Sequence, residues 1–293
     1  MLSHTLAPLA WVGLLTLACA GHATNVKHTQ EAIMEQMKIA GTQGDLFVEQ
    51  AGHGDGLSVL FLHADSGRAS QWREVAHDLA KERRTVAFDF RGSGESDPAR
   101  NGDYSYAGRA DDVGSVWDAL SLSQAVIVAH SGGAAVALEY AARHAGRVAG
   151  LLLVDPPTNP RALPQQVRDG FVSDLAGPHS LQVQKDYYRT IVGENAVTRE
   201  RVLIDCESVV PAARAGNGLA FATWDPEPTL NAWQGQALVL ATPANDNEHA
   251  LYRLRNDLQH RLVTGAGHWI QLDQPLIVEQ AIRDFLAALE TQP

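Results

Sequence analysis

Runs of uninterrupted apolar residues, closed by turn-forming residues, recur along the chain at 57–62, 126–129, 148–154 and 237–241, with shorter strand-type runs at 85–90 and 261–264. Apolar runs that do not alternate with polar positions are the pattern of parallel strands covered on both faces. Between them, apolar positions return at helical spacing at 70–81, 107–120, directly after Ser131, and at 276–289. A short helix is expected at 31–39 and an edge strand at 44–50. After Pro160 the pattern changes. As far as about Pro228 there are helical pieces and aromatics (Phe171, Tyr187, Tyr188, Phe221, Trp224) but no buried-strand run, which reads as a helical insertion. Strands alternating with helices predict an α/β fold with a right-handed, mostly parallel sheet. The expected division is a core in two parts, 24–157 and 233–293, with a helical cap at 158–232 between them.

Bulk composition narrows the function classes. The chain has 293 residues and a net charge of −11 without a basic run, which argues against a nucleic-acid partner. Twelve histidines are present, none in a recognised metal spacing, so no metal is expected. Of the two cysteines, Cys19 lies in the leader and Cys206 reads as a small buried apolar residue. The apolar run at 6–20 is shorter than the roughly 20 residues of a membrane span, so no stable membrane span is expected. Its length suits a signal peptide over 1–23, although no Lys or Arg precedes it. A working signal would make the protein periplasmic or secreted; otherwise it is cytoplasmic.

The chemistry gathers at Ala129-His130-Ser131-Gly132-Gly133. Here a strand-type run meets a helix-type run across one serine. Such a chain must turn sharply at Ser131, and the small neighbours Ala129 and Gly133 let opposing backbone approach. This is the small-x-Ser-x-Gly elbow, with alanine at the first position. A serine nucleophile needs a base within hydrogen-bond reach and a third group to orient it. The base candidate is His268, in the glycine-rich stretch Gly265-Ala266-Gly267-His268 after the last strand. Asp246, in the loop after the preceding strand, is the favoured acid. Asp155, at the end of the strand before that, is the alternative, and Glu248 a third candidate. Oxyanion donors are expected from the backbone N–H of Gly132, at a helix N-terminus, and of Asp65, in the loop after His63. A carboxylate beside a developing oxyanion is unfavourable. The Asp65 side chain should therefore point away, capping the helix near Ser70, or else restrict the substrates; Asp65→Asn or Asp65→Gly should be tolerated. The glycines of Asp89-Phe90-Arg91-Gly92-Ser93-Gly94-Glu95-Ser96 lack the Lys-Ser/Thr of a phosphate loop, and the stretch reads as a tight turn with Asp89 and Arg91 as internal partners.

Together these pieces resemble the α/β-hydrolase fold family, of the lidded serine esterase type. The resemblance covers 44–289 and rests on His63-Ala64-Asp65-Ser66-Gly67, Asp89-x-Arg91-Gly92-x-Gly94-x-Ser96, the Ser131 elbow and Gly267-His268, in the order serine, acid, histidine. It implies an eight-stranded sheet, a cap inserted after the sixth strand, no cofactor, and a small ester substrate cleaved through an acyl-enzyme. Ala64, Ala129 and Gly132 depart from the family's usual residues and make the oxyanion region atypical. Relatives that cleave carbon–halogen bonds or epoxides carry aspartate at the elbow, so the serine argues against that chemistry. The alternatives are a carbon–carbon bond hydrolase of ring-fission products using the same triad, amide or lactone hydrolysis, and a hydrolase fold kept as a binding module.

Overall fold

The computed structural model describes residues 33–291. The signal-peptide expectation lies outside them. Its frame is one eight-stranded sheet in the order β1-β2-β4-β3-β5-β6-β7-β8. The strands are β1 (Glu35–Ala40), β2 (Asp45–Ala51), β3 (Ser58–Leu62), β4 (Thr85–Phe88), β5 (Ala125–His130), β6 (Val148–Val154), β7 (Ala237–Ala241) and β8 (Gln259–Leu262). β1 and β2 are antiparallel to their neighbours, and the pairings from β4 to β8 are parallel.

The apolar runs have a direct packing cause. Side chains alternate across a strand. Leu60, Leu62, Ile127, Ala129, Leu151 and Leu153 enter one core, while Val59, Phe61, Val126, Val128, Leu152 and Val154 enter the other. The first core is covered by α2 (Tyr106–Ala119) and α3 (Gly132–Arg143), the second by α1 (Arg73–Leu79) and α11 (Pro275–Glu290). In α11 the stripe Val278, Ala281, Ile282, Phe285 and Leu286 is buried, at about 2 kcal/mol for each large side chain.

Two expectations fail at the sheet's margins. Residues 35–40 form an edge strand, not a helix. β1 pairs Met37 with Val48 and Ile39 with Leu46, and the Gln36 amide donates to Glu49. Sheet pairing thus overrides a weak local helical pattern in which only Ile39 is buried. β2, expected at the edge, lies one strand inside it. β8 is exposed along its whole length and owes its place to pairing with β7 rather than to burial.

Between β6 and β7 the chain makes α4 (Gln165–Ala176), α5 (Ser180–Ile191), α6 (Ala196–Asp205), α7 (Pro211–Thr223) and α8 (Pro226–Ala232). Asn195 caps α6 by accepting from Val197 and Thr198, and Asp225 caps α8 by accepting from Glu227. Cys206 is buried with Tyr188, Val202 and Trp269, and burial pushes its thiol up to about 12, so it behaves as an apolar side chain. Short helices α9 (Leu251–Leu254) and α10 (Ile270–Asp273) flank β8. Among the described residues no helix is long and apolar enough to cross a membrane.

Candidate active site

Parallel register brings the site together. β5 and β6 lie side by side with His130 opposite Val154, so the residues that follow, Ser131 and Asp155, leave the sheet at the same level. Ser131 turns at φ 51°, ψ −126°, and α3 starts at Gly132. Asp155 also has a left-handed φ, 41°. Both are strained for residues with a Cβ. Cross-strand bonds hold them: the Ser131 N–H donates to Val154 O at 3.0 Å and the Asp155 N–H to Leu240 O at 2.6 Å. Two prolines, Pro156 and Pro157, follow Asp155 at once.

His268 stands between these residues. Its Nε2 accepts the Ser131 hydroxyl at 2.8 Å, and its Nδ1–H donates to Asp155 Oδ2 at 2.6 Å. The Asp155 side chain is 1% exposed and that of His268 12%. Asp155 Oδ1 accepts from the Thr242 N–H at 2.7 Å and the Thr242 hydroxyl at 3.0 Å, so the buried carboxylate is fully engaged.

The favoured acid is therefore the wrong one. The carboxylate on His268 is that of Asp155, the alternative, and not that of Asp246. A short helical turn (Pro243–Asn245) carries Asp246 away from the strand end, and its carboxylate accepts from the Tyr252 hydroxyl at 2.9 Å and from Arg253 at 3.1 Å. Those two donors hold it below the usual carboxylate range. Glu248 is likewise no partner of His268; it lies near the His249 ring.

Supports that sequence reasoning missed surround His268. The buried His130 ring donates from Nε2 to His268 O at 2.9 Å and accepts at Nδ1 from the Gln271 amide at 3.1 Å. Burial, then the neighbouring His268, drives the His130 pKa well below its ordinary value, so the ring is a neutral strut. The His268 N–H donates to Ile191 O at the end of α5. Gly267 makes that approach possible, since a Cβ there would overlap the Val192 carbonyl. The only advance signal was His130 within the elbow.

The oxyanion candidates also meet. Among the described residues neither the Gly132 N–H nor the Asp65 N–H has an intramolecular acceptor. The Asp65 side chain does not cap the helix near Ser70; Asp89 does, accepting from the Ala69 N–H at 2.7 Å. Asp65 instead turns onto the N-terminus of α3, where a Cβ on Gly132 would overlap its carboxylate. The departure at Gly132 thus fits the aspartate at 65, since a side chain at 132 would displace the Asp65 carboxylate from this position. Asp65 accepts from Arg109 Nη1 at 2.6 Å and from the Tyr106 hydroxyl at 3.0 Å, and Tyr188 donates to its carbonyl. Arg109 is buried against Asp65, so the expected tolerance of Asp65→Asn or Asp65→Gly gives way to an expected loss of stability, since either leaves an uncompensated buried cation.

Beneath the site lie two groups of opposed titration. Burial lowers His63 from 6.5 to about 3, and its Nε2 accepts from the Phe90 N–H. Burial raises Asp89 from 3.8 to about 6, against the Ala69 and Glu95 amides that favour its charge. The His63 contribution to stability is present above pH 6.5 and lost as pH falls toward 3. The Asp89 contribution is present below pH 3.8 and lost as pH rises through 6. Over the shared window the two slopes oppose each other. Asp89→Asn should then expose the histidine, and stability should fall by about 1.4 kcal/mol per pH unit more steeply than in the parent on acidification. Urea unfolding at pH 6, 5 and 4 checks this; parallel pH profiles for parent and variant would refute it.

A cavity of about 510 Å³ opens over Ser131 and His268, walled by Phe171, Tyr187, Phe221 and Asn217 from the insertion and by Pro243 from the loop after β7. Among the described residues no group of three or more His, Cys, Asp or Glu side chains could hold a metal ion.

Comparison with known proteins agrees with this architecture. The chain is 30% identical over 210 residues to a haloalkane dehalogenase of Sphingobium indicum, covering 66% of this chain and 65% of the dehalogenase. It is 35% identical over 104 residues to a 2-hydroxymuconate semialdehyde hydrolase of a Pseudomonas species, covering 34% of this chain and 37% of that one. The structure superposes on that of a thermophilic esterase from Thermogutta terrifontis with a TM-score of 0.74 at 24% identity, over 88% of this chain and 100% of the other. The family model for the alpha/beta hydrolase fold matches residues 58–275. That span carries β3 to β8 as well as Ser131, Asp155 and His268, and by it the chain belongs to the α/β-hydrolase fold family.

Proposed function

We propose that the protein is a serine hydrolase that cleaves a small carboxylic ester through an acyl-enzyme, with Ser131 as nucleophile, His268 as base and Asp155 as acid. The observation that carries this reading is the continuous hydrogen-bonded relay from Ser131 through His268 to the buried Asp155. His268 takes the hydroxyl proton as Ser131 Oγ attacks the carbonyl carbon. The positive charge that forms on the ring is met by Asp155. The Gly132 and Asp65 amides are the donors for the oxyanion, Gly132 with the help of the α3 dipole. The imidazolium returns its proton to the leaving alkoxide. Water, deprotonated by the same ring, then attacks the acyl-enzyme carbonyl and releases the acid.

The dehalogenase relative raises carbon–halogen cleavage, and the elbow residue argues against it. Attack by Ser131 on a carbon–halogen bond would leave an alkyl ether, which has no carbonyl for water to attack, so turnover would stop. The semialdehyde-hydrolase relative raises carbon–carbon cleavage of ring-fission products. Those substrates carry a carboxylate, and among the described residues no Lys or Arg side chain lines the cavity to receive one. A mere binding role is disfavoured by the completeness of the relay.

A chain-length series of p-nitrophenyl esters tests the reading. The parent should turn over the shorter esters, and Ser131→Ala should lose roughly a thousandfold or more in kcat. Folded parent protein that hydrolyses no ester, or a Ser131→Ala variant with undiminished kcat, would overturn it.

A further inference from the structure

The polar lining of the cavity is one-sided. Its titratable side chains are Asp65, Asp155, Tyr187, Tyr188 and His268. Asp155 is engaged by His268 and Thr242. Asp65 is presented differently. Arg109 sits behind it, 1% exposed, while the Asp65 side chain is 19% exposed, so the ion pair turns its negative end to the cavity. The guanidinium also lies over the rings of Phe90 at 5.4 Å and Tyr106 at 4.8 Å. A carboxylate offers about four acceptor sites, of which Arg109 and Tyr106 take two.

The remaining wall fits the same charge. Phe171 packs edge-on against Tyr187 at 5.8 Å and against Phe221 at 5.6 Å, and all three line the cavity. Aromatic faces carry negative potential and attract cations. The Tyr187 hydroxyl is pushed up, first by burial and then by Asp65 and Asp155. The carboxamides of Gln184 and Asn217 can serve either sign.

We infer that the cavity selects an ester carrying an ammonium group close to its scissile carbonyl, with Asp65 as counter-charge and the Phe171–Tyr187–Phe221 wall around the cation. This rests on the ester-hydrolase reading. An anionic substrate would be stripped of water against two carboxylates, and among the described residues no Lys or Arg side chain lines the cavity to meet it.

Three acetates of like size separate charge from shape: 2-(trimethylammonio)ethyl acetate, its uncharged isostere 3,3-dimethylbutyl acetate, and the anionic 3-carboxypropyl acetate. Their hydrolysis is followed by titrating the acid released. In the parent protein kcat/KM should favour the cation over the isostere roughly tenfold, the scale of a desolvated cation–π contact, with the anion slowest. Asp65→Asn should bring the cation-to-isostere ratio toward one. Should that variant fail to fold, Phe221→Leu should lower the same ratio. A parent that prefers the isostere, or treats the two alike, overturns the inference while leaving the ester reading intact. Failure to hydrolyse any ester overturns the ester reading instead. The charge preference is then read by calorimetric titration of 2-(trimethylammonio)ethanol against 3,3-dimethylbutanol. Tighter binding of the cation supports the inference, and equal or weaker binding overturns it.

Discussion

Asp155→Asn is expected to lower kcat for a cleavable ester by roughly 10³- to 10⁴-fold, while Asp246→Asn should leave it within about twofold, the first being the scale of loss when a triad carboxylate becomes an amide. The surroundings dictate how the new amide sits. The Thr242 N–H and hydroxyl both address Oδ1, so the amide's carbonyl oxygen would stay with them and its NH₂ would face His268. Nδ1 would then have to accept, the ring proton would move to Nε2, and Nε2 could no longer take the proton of Ser131. Geometry is kept while the tautomer is wrong. Asp246 by contrast holds only Tyr252 and Arg253 at the surface. Steady-state kinetics of both variants, with unfolding midpoints to show that each is folded, decides between them. An inactive Asp246→Asn beside an active Asp155→Asn would reverse the assignment.

The largest expected loss of stability lies elsewhere. Arg91 and Asp112 form a buried bidentate pair, with Nε on Oδ2 and Nη2 on Oδ1, each at 2.7 Å, and exposures of 3% and 1%. Arg91 also donates to the carbonyls of Asp103 and Gly108, tying the turn after β4 to the start of α2. Burial already raises the Asp112 pKa against the pull of Arg91. Arg91→Met would leave that carboxylate without its counter-charge and should cost about 3–5 kcal/mol. The double variant Arg91→Met/Asp112→Leu should recover part of this, because replacing both partners removes the stranded charge. Urea denaturation measures both. An unchanged midpoint in the single variant would mean that the pair is solvated in solution.

What could be read from the chain follows from where burial dominates. The β3, β5, β6 and β7 runs were legible because both sheet faces are covered, which keeps those strands apolar except at the ends Ser58 and His130. β1 was not, since a half-exposed margin strand has no such constraint. Ser131 and His268 were legible because each sits in a glycine-marked turn. The acid was not, because the deciding fact is lateral. Val154 lies opposite His130, and that register cannot be read from either strand alone. The loop after β7 offered a carboxylate at a familiar distance along the chain, and three residues of helical turn remove it from the site. The struts His130, Gln271 and Thr242 are polar residues whose meaning exists only through partners far along the chain. The side chain of Asp65 misled for the same reason, its partner Arg109 being on another element.

The placement of Asp155 immediately before Pro156-Pro157 bears on how such a protein can diversify. Two consecutive prolines fix φ at about −65°, so the segment leaving the acid has less torsional play than an ordinary loop. The carboxylate itself is pinned from the far side by Thr242. Helices between Pro157 and Ala237 can therefore be lengthened, shortened or exchanged by recombination without the change being transmitted along the chain into the relay, provided that the newcomer supplies a carbonyl where Ile191 receives the His268 amide. Chain exchange at those two points would make new substrate ranges heritable as single cassettes, while the chemistry stays with the part of the gene that encodes the sheet.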